Sequence, residues 1–240
     1  MNTIVLRIAC TVIGYLFGMV QTAYFYGRLK GIDIRKHGSG NAGTTNTLRV
    51  LGTGAGAVVL IGDMIKCVLA ILLTSFLFGK SHPEILYLLK IYTAFGCVIG
   101  RDFPFYMNFK GGKGIACTAG YLCAFHYSFI PMFLIAFLVP FLITHYVSLG
   151  SLCIYAGFLI MLIAEGQMGV FGMSQPALIE MYVIAFLMAA LAFWQHRANI
   201  LRLLKGEERK TYLFKKNKVE SGEAPGAPGS SDIPTGKADV

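Results

Sequence analysis

Charge is scarce in this sequence. Only 14% of its 240 residues are Asp, Glu, Lys or Arg, and most of the chain lacks the stripes of polar residues that give a soluble helix its wet face. The two absences together exclude a soluble globular domain. Six cysteines are present, but none forms a Cys-x-x-Cys pair or joins a histidine at metal-ligand spacing. They read as small buried hydrophobes. Also missing are the paired carboxylates of a metal-dependent phosphotransferase, a Walker A loop, and the His-x4-Asp pair of many acyltransferases, absent at each of the five histidines. No metal, no cofactor and no nucleic-acid partner are expected.

Apolar sequence is abundant, at 55% of the chain. It falls in blocks long enough to cross a bilayer, for which about 17–25 residues are needed. The blocks predict seven helices, over 4–26, 54–79, 84–100, 115–129, 130–147, 150–166 and 177–194. The first is too long for a signal peptide and has no small-residue cleavage site, so it reads as a retained span. Only Pro131 and a polar dip from His126 to Ser128 separate the fourth from the fifth, which leaves a re-entrant hairpin open there. The expected fold class is all-α, a polytopic membrane helical bundle embedded in the lipid bilayer.

Loop charge orients the bundle. Arg28, Lys30, Arg35, Lys36 and Arg49 follow the first span, Arg101, Lys110 and Lys113 the third, and a basic run from Arg197 to Lys218 the seventh. The connection 165–177 carries no Lys or Arg. By the positive-inside rule the N-terminus is outside and the C-terminus cytoplasmic, as an odd number of spans requires. Residues 1–214 read as the transmembrane domain. The Gly-, Pro- and Ser-rich tail over 215–240 has little to bury and is expected to be disordered.

On this topology three polar stretches meet on the cytoplasmic side. "RKHGSGNAGTTNTLR", residues 35–49, offers Ser39, Asn41, Thr45, Asn46 and Arg49 among glycines. Hydroxyls, amides, a guanidinium and exposed backbone N–H groups suit an anionic ligand. A glycine-rich turn alone accounts for Gly38, Gly40 and Gly43 but not for that density of donors. "FKGGKGIACTAG", residues 109–120, places Gly111, Gly112, Lys113 and Gly114 before an apolar helix. That is either a phosphate cradle at a helix N-terminus or a basic inside-loop anchor. In "WQHRANILRLLKGEE", residues 194–208, His196, Asn199 and Arg202 recur every third residue and share a face if helical. His196 is the natural group to take or position a hydroxyl proton, while the lysines and arginines beyond it suit an anionic lipid surface.

Asp63 and Lys66 lie inside the second span, where charge is costly, and at i,i+3 they can neutralise each other. A structural pair and a functional one fit equally. "HYVSLGS", residues 145–151, adds Ser148 and Ser151 to the cytoplasmic cluster. A phosphate-binding set opening on an apolar bundle suits a reaction between a soluble phosphorylated molecule and a lipid-like one. A transporter for a phosphorylated anion would place polar groups on both faces, and a lipid-binding scaffold would not need the Ser/Thr/Asn cluster.

"DIRKHGSGNAGTTNTLRVLG", "FKGGKGIA" and "HRANILRLLKGEE" resemble, in order, the three signature motifs of the acyl-phosphate-dependent glycerol-3-phosphate acyltransferases, the PlsY family of bacteria. Asp63 and Lys66 resemble its D-x-x-K, and Tyr146, Ser148 and Ser151 its Y-x-S-x-x-S. The resemblance implies transfer of an acyl chain from acyl phosphate to the 1-hydroxyl of glycerol 3-phosphate, giving lysophosphatidic acid and phosphate. It implies catalytic roles for Ser39, Asn46, His196 and Asn199. Substrate phosphate would be held by Arg49, Asn41, Thr45, Gly111, Gly112, Lys113, Gly114 and Ser148. Three positions depart from the family pattern: Arg101 stands for a His, Gly18, Met19, Val20 and Gln21 replace Gly-Ser-x-Pro, and Cys67 follows Lys66 in place of Gly.

Overall fold

The structure, a computed structural model, describes residues 3–212; the tail expected over 215–240 lies outside the described residues. The described chain forms ten α-helices: α1 (Thr3–Gly18), α2 (Thr22–Leu29), α3 (Thr44–Leu51), α4 (Thr53–Phe78), α5 (Leu86–Asp102), α6 (Ile115–Phe125), α7 (Phe129–Thr144), α8 (Val147–Gln167), α9 (Gln175–Gln195) and α10 (Arg197–Leu204). Among the described residues five stretches are long and apolar enough to cross a membrane: Thr3–Leu29, Thr53–Phe78, Pro83–Met107, Val147–Gln167 and Gln175–Gln195. This is a multi-pass membrane protein. α4 shows the inversion that a bilayer imposes. Ile61, Ile65, Leu69, Leu72 and Phe76 are exposed along one face, while Asp63, Lys66 and Thr74 are buried on the other.

The first apolar block, expected as one helix over 4–26, is broken between α1 and α2 at Met19–Gln21. A break inside a bilayer frees carbonyls that have no water to bond. Here Lys66 Nζ donates to Gly18 O (3.0 Å) and Val20 O (2.5 Å), and Tyr106 O–H donates to Met19 O (2.6 Å). Lys66 is therefore a structural donor as well as the partner of Asp63.

α1 and α5 cross at backbone distance, because Gly14 and Gly18 on one helix face Gly96 and Gly100 on the other. A Cβ on Gly14 would strike the backbone of Thr93 and Cys97, and one on Gly96 the backbone of Thr11 and Tyr15. The main core lies among α5, α6, α8 and α9 with the start of α7, where Tyr121, Phe125, Phe129 and Phe158 pack edge to face with ring centroids 5.5–6.4 Å apart.

α6 has 11 residues and α7 has 16, so α6 is about 16 Å long against a hydrocarbon core of about 30 Å. Their connecting turn is pinned at the end of the bundle opposite the motifs. Lys90 Nζ donates to Phe125 O (3.1 Å), and Ser128 Oγ donates to Glu165 Oε2 (2.9 Å) while bonded to His126 Nδ1 (2.7 Å). Arg7, Glu180 and Tyr92 form a second paired cluster near that end. Two self-satisfied polar clusters thus lie away from the three motif stretches.

Candidate active site

The three polar stretches do converge. They surround a cavity of about 820 Å³ at one end of the bundle. The segment 35–43 and α3 form one wall. Gly38 (φ +60°) and Gly40 (φ +71°) flank Ser39 in left-handed backbone, a conformation that favours glycine. Asn46, buried at the third position of α3, holds this turn: its Nδ2 donates to Ile34 O (3.1 Å) and His37 O (3.0 Å), and its Oδ1 accepts from Ser39 N (2.8 Å). All three bonds go to backbone, so Asn46 positions Ser39. The Ser39 hydroxyl, the Asn41 amide and the Thr45 hydroxyl line the cavity and have no hydrogen-bond partner among the described residues.

The second wall corrects an expectation. Gly111 and Gly112 do not offer their N–H groups to the cavity, because these donate to Asp102 O (3.0 Å) and Arg101 O (3.1 Å). The turn folds back over the end of α5. What faces the cavity is Lys113 and the start of α6, capped by Gly114 at φ +71°. The first N–H groups of α6 have no intrahelical acceptor and are the anion-facing donors of this stretch.

The third wall is α10 with the segment after it. His196, buried between α9 and α10, bonds Ala192 O through Nδ1 (2.8 Å). A carbonyl only accepts, so Nδ1 carries the proton and the Nε2 lone pair is left as an acceptor on a ring that lines the cavity. Burial, then the charge of Lys113, push the ring down to about 4. It is neutral at physiological pH. Asn199 accepts from Lys113 Nζ and donates to Glu208 Oε1 (2.8 Å).

Glu208 organises this wall, and the sequence reading did not single it out. Its Oε1 also accepts from Ser148 Oγ (3.1 Å) at the start of α8, and its Oε2 accepts from Arg202 Nε (2.8 Å). Gly206, at φ +71°, turns the chain to bring it back. Beyond it, Arg49 Nη2 donates to Thr211 Oγ1 (2.7 Å) and Thr211 N to His145 O (2.9 Å). Segment 205–212 thus straps α3, α8 and α10 together.

The electrostatics favour an anion. Burial pushes the Lys113 ammonium down from its ordinary value, and Arg202 pushes it further. Burial and then Arg209 do the same to Arg49. A phosphate placed between these two cations would offset the cost of burying them. Away from these charges the cavity is apolar, bounded by Leu60 and Met64 of α4, Ala119 of α6 and Phe133, Phe137 and Phe141 of α7.

Residues 8–206 match the family model described as glycerol-3-phosphate acyltransferase. The chain belongs to this acyltransferase family. A glycerol-3-phosphate acyltransferase of Clostridioides difficile (strain 630) is 39% identical over 206 residues, spanning 85% of this chain and 94% of that one. Glycerol-3-phosphate acyltransferase 2 of Thermotoga maritima is 36% identical over 207 residues, 85% of this chain and 96% of its own. The fold is also similar to the crystal structure of PlsY (YgiH), an integral membrane glycerol 3-phosphate acyltransferase. Its glycerol 3-phosphate form matches with a TM-score of 0.74 at 30% identity, over 86% of this chain and 96% of that one. Its lysophosphatidic acid form matches with a TM-score of 0.72 at 29% identity.

In this acyltransferase Ser39, Asn41, Thr45, Asn46, Arg49, Lys113, Gly114, Ser148, His196 and Asn199 all border the one cavity. Arg101 and Asp63 border it too. Arg101 stood out in sequence only as a departure from the family pattern, because its partner Gln21 is 80 residues away, and Glu208 bonds Ser148, 60 residues away.

Proposed function

We propose that the protein transfers an acyl chain from acyl phosphate to the 1-hydroxyl of glycerol 3-phosphate, giving lysophosphatidic acid and phosphate, at the cytoplasmic face of a bacterial inner membrane. The observation that carries this reading is the composition of the cavity, a cationic and hydroxyl-rich end continuous with an apolar end. An acyl phosphate has the same two halves. In this reading α6 and α7 are the fourth and fifth of seven crossings, with the N-terminus outside. The pinned turn between them and the basic loops at the motif end support it.

Acyl phosphate is a mixed anhydride whose leaving group needs charge neutralisation more than an acid. Arg49 and the first motif bind its phosphate, with the Ser39 hydroxyl positioned by Asn46 beside the reacting carbonyl. Lys113 and the N-terminus of α6 hold glycerol 3-phosphate. Neutral His196 accepts a hydrogen bond from the 1-hydroxyl at Nε2 and Asn199 fixes Lys113, so the hydroxyl is oriented before reaction. The glycerol oxygen bonds to the acyl carbon and the carbon–oxygen bond to phosphate breaks. The hydroxyl proton passes to the departing phosphate oxygen, a stronger base than an imidazole held near 4, and the phosphate leaves as the hydrogen phosphate dianion.

The test is lysophosphatidic acid formation and phosphate release by the purified protein, given glycerol 3-phosphate with acyl phosphate or with acyl-CoA. Product from acyl phosphate alone is expected, with His196→Ala reducing kcat by about 100-fold through loss of hydroxyl orientation. Product from acyl-CoA alone overturns the donor assignment, and full activity in His196→Ala overturns the role given to that ring.

A further inference from the structure

Arg101 and Gln21, two of the positions that depart from the family pattern, are partners. Gln21 Oε1 accepts from Arg101 Nη1, and Gln21 Nε2 donates to Arg101 O at 2.9 Å. Both residues are buried. The same guanidinium donates through Nε to Asp63 Oδ2 (3.1 Å) and through Nη2 to Ala42 O. Three nitrogens therefore grip three separate elements: the α1–α2 break, the middle of α4 and the loop that follows Ser39.

We propose that Arg101 is a positioning residue for the acyl-phosphate end of the site, acting through the carbonyl of Ala42 with Gln21 as its brace. The proposal rests on the reaction assigned above. Ala42 lies between Asn41 and Gly43, which both line the cavity, so its carbonyl fixes where the Asn41 amide and the start of α3 sit. Neutralising Asp63 does not require Arg101, because Lys66 Nζ already stands 2.9 Å from Asp63 Oδ1 and Thr22 Oγ1 donates to the same oxygen at 2.8 Å. The property that Arg101 adds is reach. A guanidinium has five N–H donors in a fixed fork, whereas an ammonium is a point donor and an imidazole has two donors on opposite edges.

The second motif depends on this residue differently. Gly111 and Gly112 bond the backbone carbonyls of Asp102 and Arg101, which survive any side-chain substitution. Only packing links the guanidinium to Gly112, where a Cβ would stand 2.6 Å from Nη1. The side chain of Arg101 is therefore coupled by hydrogen bonds to the first motif and not to the second, and its removal separates the two substrates.

The experiment is steady-state kinetics of the full chain in both substrates for Arg101→Gln, Arg101→Lys and Gln21→Leu, with thermal stability measured in parallel. Loss of the Ala42 anchor is expected to raise KM for acyl phosphate about tenfold in Arg101→Gln and Arg101→Lys, the worth of about one buried hydrogen bond. KM for glycerol 3-phosphate stays within about twofold of wild type. Arg101→Lys keeps the ion pair with Asp63, so it recovers thermal stability without recovering KM. Gln21→Leu raises the same KM less and adds little to Arg101→Gln.

Equal rises in both KM values, or a fall in kcat that tracks the folded fraction with both KM values unchanged, overturn the proposal in favour of a purely structural Arg101. If Arg101→Gln does not fold, Arg101→Lys and Gln21→Leu decide by the same split. A wild-type protein inert towards acyl phosphate overturns the reaction assignment itself; an active one without the split overturns only the role of Arg101.

Discussion

At the scale of residues, His196 shows how burial selects a role. The ring spends Nδ1 on Ala192 O and is held near 4, so it stays neutral from about pH 8 down to about pH 5 and loses its lone pair only as pH falls through its own pKa. The ratio of kcat/KM for glycerol 3-phosphate in wild type to that in His196→Ala is therefore expected to be flat between about pH 5.5 and 8, because kcat/KM reports groups of the resting enzyme and ionisation of the substrates cancels in the ratio. A titration of that ratio between about pH 6 and 7 would show a ring that charges in the resting site. Ser39, Lys113 and His196 were legible in sequence because polar types stand out in an apolar chain. The N–H groups of Gly111 and Gly112 were misread because a glycine pair is equally the mark of close packing, here against the guanidinium of Arg101 and the end of α5. Glu208 was not singled out because one carboxylate in a basic, solvent-like stretch looks like surface until Ser148, Asn199 and Arg202 are seen around it.

At the scale of elements, hydropathy placed α4, α5, α8 and α9 within three residues of their ends, since a bilayer demands long apolar runs and little else produces them. The break between α1 and α2 was invisible. No proline marks it, and it stands because a lysine two helices away takes the freed carbonyls. The α1–α5 crossing is likewise decided by partners. Gly96→Leu is expected to cost about 3 kcal/mol or more, because its side chain has to enter space held by the backbone of Thr11 and Tyr15. Thermal unfolding in detergent measures this. An unchanged melting temperature would mean that the two helices can separate without loss.

At the scale of the whole molecule, the chain alternates between a motif end and a far end, and the far end holds the turn from α6 to α7. In the proposed topology α6 and α7 each cross the bilayer, and the alternative is that the pair turns back within it. Single-cysteine labelling in sealed vesicles separates the two cases, with Tyr127→Cys expected to react from the outside and Tyr212→Cys from the inside. Reaction of both from one side would overturn the seven-crossing reading. The cavity also reaches the lipid-facing surface, since Leu60, Leu134 and Leu138 line it and are exposed beside α4 and α7. That opening changes what concentration means for this acyltransferase. A donor arriving sideways through the leaflet, and a product leaving the same way, are counted per lipid and not per litre. At a fixed concentration of glycerol 3-phosphate, dilution with inert lipid is therefore expected to slow the reaction where added buffer does not, and the rate becomes a reading of the membrane's own composition.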